Sequence, residues 1–129
     1  MPVRSLRSPV LRWPRREEVL DAARAWAVAE APRHAGVLGV GVFGSCARGQ
    51  GWGVGSDLDV VVVVESSDAS FTRRGIAWDA HCLPVSVDLL VYTRREWEAA
   101  LARGEPFVRA IDRDAVWLFG SLPRPPPAG

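Results

Sequence analysis

The sequence predicts an α/β or α+β domain, one sheet covered by helices. Three observations carry this. Short runs rich in valine, Val60 to Val64 the plainest, alternate with stretches of helix-forming residues. The order reads helix, strand, loop, strand, helix, strand, helix, strand. And 129 residues with 48% hydrophobic and 24% charged side chains suit one domain with a real core.

Residues 1–13, which include Pro2 and Pro9, read as an extended N-terminal arm, 14–120 as the folded domain, and the proline-rich 121–129 as a disordered tail. From Pro14 to about Ala31 the chain is rich in alanine and other helix formers, with Glu17, Glu18 and Asp21 near the positive end. Leu20, Ala23 and Ala27 share one face of this helix, with Val19 and Trp26 beside it, and Pro32 stops it. Val37 to Phe43 is a strand whose Gly39 and Gly41 let neighbouring backbone approach closely. Residues 44–56 are a loop with five glycines. Leu58 to Val64 is apolar on both faces and therefore central. Phe71, Ile76 and Trp78 suit a helix over 68–80. Pro84 to Tyr92 is the third strand, Thr93 caps the helix that Gly104 ends, Glu105 to Asp112 is a short helix, and Ala115 to Phe119 the last strand.

Composition excludes several function classes. No apolar run approaches the roughly 18 residues of a membrane span. The arginine-bearing N-terminus has no apolar stretch of signal-peptide length, and Cys46 and Cys82 form no metal or disulfide pattern, so a cytoplasmic protein with reduced thiols is expected. A net charge of +1 argues against a dominant electrostatic grip on nucleic acid. All sixteen basic residues are arginine, which rules out a lysine-dependent phosphate loop.

The chemistry starts at Ser56-Asp57-Leu58-Asp59. Strand side chains alternate, so Asp57 and Asp59 project the same way and repel unless a cation lies between them. Mg²⁺ suits such hard oxygen ligands and bridges to substrate phosphates. Upstream, Gly44-Ser45 follows the first strand directly, where backbone amides and a hydroxyl can approach a polyphosphate, and Arg48 can reach phosphate oxygens. Asp88 is a charge within an otherwise apolar strand, costly to bury without a partner. If that strand runs beside the second, Asp88 completes a cluster of three carboxylates.

GSCARGQGWGVGSDLDVVVVV followed by VSVDLLVYT resembles the polymerase-beta-type nucleotidyltransferase superfamily, and within it the minimal nucleotidyltransferases. The resemblance spans about residues 37 to 119 and implies the nucleotidyltransferase fold, one small mixed sheet of about four strands covered by helices. It implies that Gly44, Ser45 and Ser56, helped by Arg48, bind a nucleoside triphosphate such as ATP. It implies that Asp57 and Asp59 hold two Mg²⁺ ions, with Mn²⁺ as the substitute, and that Asp88 joins one ion and takes the acceptor's proton. Transfer of AMP from ATP to an acceptor hydroxyl follows, and in antitoxin-like members the acceptor is a tyrosine of a HEPN-type toxin partner. The competing expectation is a non-catalytic module of the same fold that neutralises a partner by contact, the six tryptophans supplying an interface.

Other residues receive plainer readings. His34 and His81, without acidic companions at ligand spacing, suit surface or capping roles. Trp26, Trp78, Trp97 and Trp117 suit packing; for the loop indole of Trp52 stacking on a base is an alternative to packing. Arg73-Arg74 and Arg94-Arg95 read as solvated helix ends.

Overall fold

The computed structural model describes residues 13–120, so nearly all of the arm and the whole tail lie outside the described residues. Helix α1, Arg16–Glu30, opens where the Glu18 carboxylate accepts the N–H of Arg15 at 2.8 Å. It buries Val19, Ala23, Trp26 and Ala27 and leaves Leu20 half-buried. A 3₁₀ turn at Ala31–Arg33 ends it, since Pro32 cannot donate to a continuing helix. There follow β1 (Val37–Phe43), α2 (Ser45–Arg48), β2 (Leu58–Val64), a 3₁₀ stretch (Phe71–Ala77), β3 (Val87–Thr93), α3 (Arg94–Ala102), α4 (Pro106–Asp114) and β4 (Val116–Gly120). The expected caps are in place. Thr93 Oγ1 accepts the N–H of Glu96 at 3.2 Å, and the Glu96 carboxylate accepts that of Thr93 at 2.9 Å.

The sheet has the order β3-β2-β1-β4, with β1 antiparallel to both neighbours and β2 parallel to β3. It is the mixed four-stranded sheet that the family resemblance implies. Every valine from Val60 to Val64 is buried. Val60, Val62 and Val64 pack with the apolar face of α1, and Val61 and Val63 with Trp97, Ala100, Val108 and Ile111 of α3 and α4. Burying each such side chain contributes about 1.5–3 kcal/mol, which makes β2 the axis of the fold. Gly41 answers to a side chain rather than to backbone: a Cβ there would lie 2.6 Å from the Trp117 ring that crosses β1. No described helix is long and apolar enough to cross a membrane. Cys46 and Cys82 are both free thiols.

Two expected elements change. Residues 68–80 form only the 3₁₀ stretch Phe71–Ala77, none of which is buried. Without an apolar face to pack, a full helix there gains no tertiary support. Strand β3 begins at Val87 rather than Pro84, although the carbonyl of Ser86 already accepts the N–H of Leu58 at 2.9 Å. Proline has no N–H to offer a ladder, so regular pairing starts after it.

Arg74 is not a solvated helix end, because its side chain is only 8% exposed. It donates to the carbonyls of Ala69 and Val91, each at 3.0 Å, and grips Glu96 through two bonds of 2.6 and 3.0 Å. It thereby fastens the 3₁₀ stretch over β3, the edge strand. Arg74 also holds the Glu96 carboxyl down to about 2, against an ordinary 4.5. A depressed carboxylate contributes stability above its unfolded value that is lost as pH falls through its folded one. Glu96 is 42% exposed, so solvent screens much of this pair. Arg74→Ala is therefore expected to cost about 1–2 kcal/mol at neutral pH, chiefly through the two abandoned carbonyls. In urea titrations its deficit relative to the parent shrinks between pH 4.5 and about 2. A deficit independent of pH would assign the whole effect to the carbonyl contacts.

Candidate active site

The parallel pairing of β2 with β3 decides the site. Asp59 stands in register with Asp88 on one side and with Phe43 of β1 on the other. Adjacent strands lie about 4.8 Å apart, so the two carboxylates are neighbours on one face. That face is the one shared with Val61 and Val63, under α3 and α4. Asp57 lies two residues upstream, just before β2, close enough for its charge to act on Asp59. The structure thus brings all three sequence-predicted carboxylates to one end of the sheet.

Asp59 is half-buried, whereas Asp57 and Asp88 are exposed. Burial pushes the Asp59 carboxyl above its ordinary range, the charges of Asp88 and Asp57 push it further, and Arg48 pulls it back. No hydrogen bond within the described residues reaches any of the three carboxylates. Unpaired carboxylates facing one another fit a hard divalent cation. The described residues do not draw three acidic, thiol or imidazole groups into a ready-made cage. Mg²⁺ does not require one, because it binds through one or two carboxylates and completes its shell with water and substrate phosphates.

Beside Asp59, Gly44 adopts φ 74° and ψ −152°, a conformation that only glycine holds without strain. A Cβ at this position would overlap the Asp59 carboxylate. Ser45 then opens α2, a single turn missing from the sequence reading of residues 44–56 as loop, and Gly49 ends it at φ 74°. The turn is braced from beneath. The Arg16 guanidinium donates to the carbonyls of Cys46 and, at 3.2 Å, Ala47, while the Cys46 side chain is buried in the core. Arg16 has no signal in the sequence, as it lies 30 residues upstream of Cys46 at the start of a different element. Arg48 is exposed, and its charge is felt by Asp59 and by Asp114.

Ser56 uses its hydroxyl inside the loop, accepting the N–H of Gly53 at 3.0 Å and donating to Gly51 at 3.4 Å. Trp52 does not present a stacking face to the carboxylates. Its indole donates to the Pro14 carbonyl at 3.1 Å and packs with the core on the α1 side of the sheet, the opposite face from Asp59. The loop's tryptophan therefore ties it to the start of α1.

The histidines do have acidic companions. His34 Nε2 lies 2.8 Å from Glu30 and its ring stacks on Trp78 at 3.9 Å, so it is no surface residue. Glu30, buried, also accepts the N–H of Asp79 at 3.1 Å, and the His34 hydrogen bond foremost keeps its carboxyl below the usual range. Exposed His81 pairs with Asp79 at 2.8 Å. Neither pair includes one of the three aspartates; Glu30 and His34 stand four residues apart, a spacing the sequence carries, whereas the turn after Asp79 creates the His81 contact. A surface cleft of about 750 Å³ lies at the far ends of β2 and β3, lined by Glu65, Arg94 and Glu98 among others. It carries charges of both signs and none of the clustered aspartates, so size does not mark the chemistry.

A mixed four-stranded sheet with a Gly-Ser turn set against paired aspartates defines the nucleotidyltransferase class of fold. The nucleotidyltransferase domain family matches residues 27–109, and the chain belongs to that family. The matched span holds Gly44, Ser45, Asp57, Asp59 and Asp88. The structure is also similar to a crystal structure from Sulfolobus solfataricus described as a candidate nucleotidyltransferase. The TM-score is 0.54 over 79% of this chain and 80% of that one, at 21% identity, a likeness of fold. Comparison with curated proteins gave no match.

Proposed function

We propose that this domain transfers a nucleoside monophosphate, AMP from ATP, to an acceptor hydroxyl, with two Mg²⁺ ions held at Asp57, Asp59 and Asp88. One observation carries the reading: Asp59 and Asp88 stand in register on parallel strands, with Gly44 pressed against Asp59. Asp57, Asp59 and Asp88 would hold the ions, whose charge would offset that developing on the oxygens of an in-line displacement. The chain's own residues do the rest. Gly44 leaves the approach to Asp59 open, and Ser45 and Arg48 meet the triphosphate from α2. Asp88, exposed at the edge strand, takes the proton of the incoming hydroxyl. Pyrophosphate leaves and the acceptor keeps the nucleoside monophosphate.

The family resemblance extends the proposal to a tyrosine of a HEPN-type toxin as the acceptor, in the cytoplasm. The rival reading, a contact-only antitoxin, drew its support from tryptophan content. Trp26 and Trp97 are buried and the other four tryptophans are half-buried, which gives the contact-only reading less aromatic surface to draw on.

The test is calorimetric titration of ATP into the protein with and without Mg²⁺, repeated on Asp57→Ala. Binding that needs the metal and disappears in a folded Asp57→Ala protein is the expected result. Absence of binding to the folded parent overturns the proposal.

A further inference from the structure

Glu30, the last residue of α1, is only 6% exposed and stands outside the site described above. Burying a carboxylate is costly unless its oxygens find partners. Its Oε2 accepts the backbone N–H of Asp79 at 3.1 Å and lies 2.8 Å from His34 Nε2, and the Arg33 guanidinium is 4.0 Å from Oε1. We propose, resting on the nucleotide-transfer reading above, that Glu30 is a positioning residue: by holding the backbone at Asp79 it sets where the chain enters β3, and so where Asp88 presents its carboxylate to the metal.

The crossover from β2 to β3 gives Glu30 this role. Parallel strands need such a connection, and a packed helix usually supplies it. Here no apolar residue from Glu65 to Cys82 is buried, so core packing does not fix the path. Polar anchors replace it. Both backbone groups of Asp79 are taken by side chains of α1, its N–H by Glu30 and its carbonyl by the Trp26 indole at 2.7 Å. The His34 ring, stacked on Trp78, holds the residue before it. Leu83 and Val85 then join the core on the α1 side of the sheet, the Ser86 carbonyl reaches Leu58, and Asp88 follows two residues on. Within the sheet β3 has β2 as its one neighbour, so its entry hangs from α1, whereas Asp59 lies in a strand held from both sides. Loss of the Asp79 anchor therefore moves Asp88 and spares Asp59.

The experiment titrates Mn²⁺ into the protein with α,β-methylene-ATP and follows the free ion by electron paramagnetic resonance. It compares the parent, Glu30→Leu, Glu30→Gln, Asp88→Asn, and Glu30→Leu combined with Asp88→Asn. Melting curves verify that each is folded. Leucine fills the space but cannot accept from Asp79, whereas the glutamine carbonyl can. Glu30→Leu is expected to weaken one of the two ions about three- to tenfold, the scale on which remote residues couple to a site, and to leave the other unchanged. Glu30→Gln is expected to bind like the parent. In the Asp88→Asn background Glu30→Leu is expected to add nothing, because both act through one carboxylate. A folded Glu30→Leu with both ions at parental affinity, equal weakening of both ions, or the same loss in the Asp88→Asn background would overturn the positioning role and leave the metal site standing. Glu30→Gln as weak as Glu30→Leu would overturn the Asp79 bond as its means. If Glu30→Leu does not fold, Trp26→Phe, which removes the other bond to Asp79 and keeps an aromatic ring in the core, is judged by the same outcomes. A parent that binds no Mn²⁺ with the nucleotide would overturn the nucleotide-transfer reading and the positioning role with it.

Discussion

Asp59→Asn is expected to reduce metal-dependent nucleotide transfer by more than about 100-fold, beyond what loss of a supporting contact causes, while the unfolding midpoint holds or rises. The opposite signs have one origin. Asp59 is the most buried of the three carboxylates, and its pKa lies above the ordinary value because burial and then Asp88 and Asp57 disfavour its charge. A raised carboxyl binds its proton more tightly in the folded state, so stability falls as pH rises through its titration. Replacing it by a neutral amide removes that cost. The gain is largest near neutral pH, disappears in acid below about 3.9, and stays under about 1 kcal/mol after solvent screening. Melting curves at the two pH extremes, beside a transfer assay, check both halves. A variant that unfolds would make Asp59 a structural residue, and one that transfers at the parental rate would remove it from the site.

Gly44→Ala carries the second large effect. The backbone conformation at φ 74° and ψ −152° costs a side-chain-bearing residue about 1–3 kcal/mol. The added methyl would also overlap the Asp59 carboxylate, which must move. We expect a melting point lower by several degrees and metal-dependent ATP binding too weak to detect. Gly53→Ala is the matched control, since a Cβ there meets nothing within 4 Å. Equal effects in the two variants would mean that loop flexibility, not the approach to Asp59, explains the loss.

Sequence by itself determined the main elements and picked out the candidate site residues. The five valines of β2 could only be a central strand, because both faces are apolar, and the period of two placed Asp57 and Asp59 on one side. The helices α1, α3 and α4 were legible from composition and from the cap at Thr93, which rests on contacts within three residues. The 68–80 segment misled because aromatic residues suggested a packed face that the fold does not give it. What only the tertiary structure decided is which strands are neighbours. Parallel pairing of β2 with β3 turns Asp88 from an isolated charge into the partner of Asp59. The brace from Arg16 to α2, the tie from Trp52 to Pro14 and the bond from Asp79 to Glu30 share this character. Each joins residues tens of positions apart, and side-chain periodicity reports only on neighbours within a turn or a strand.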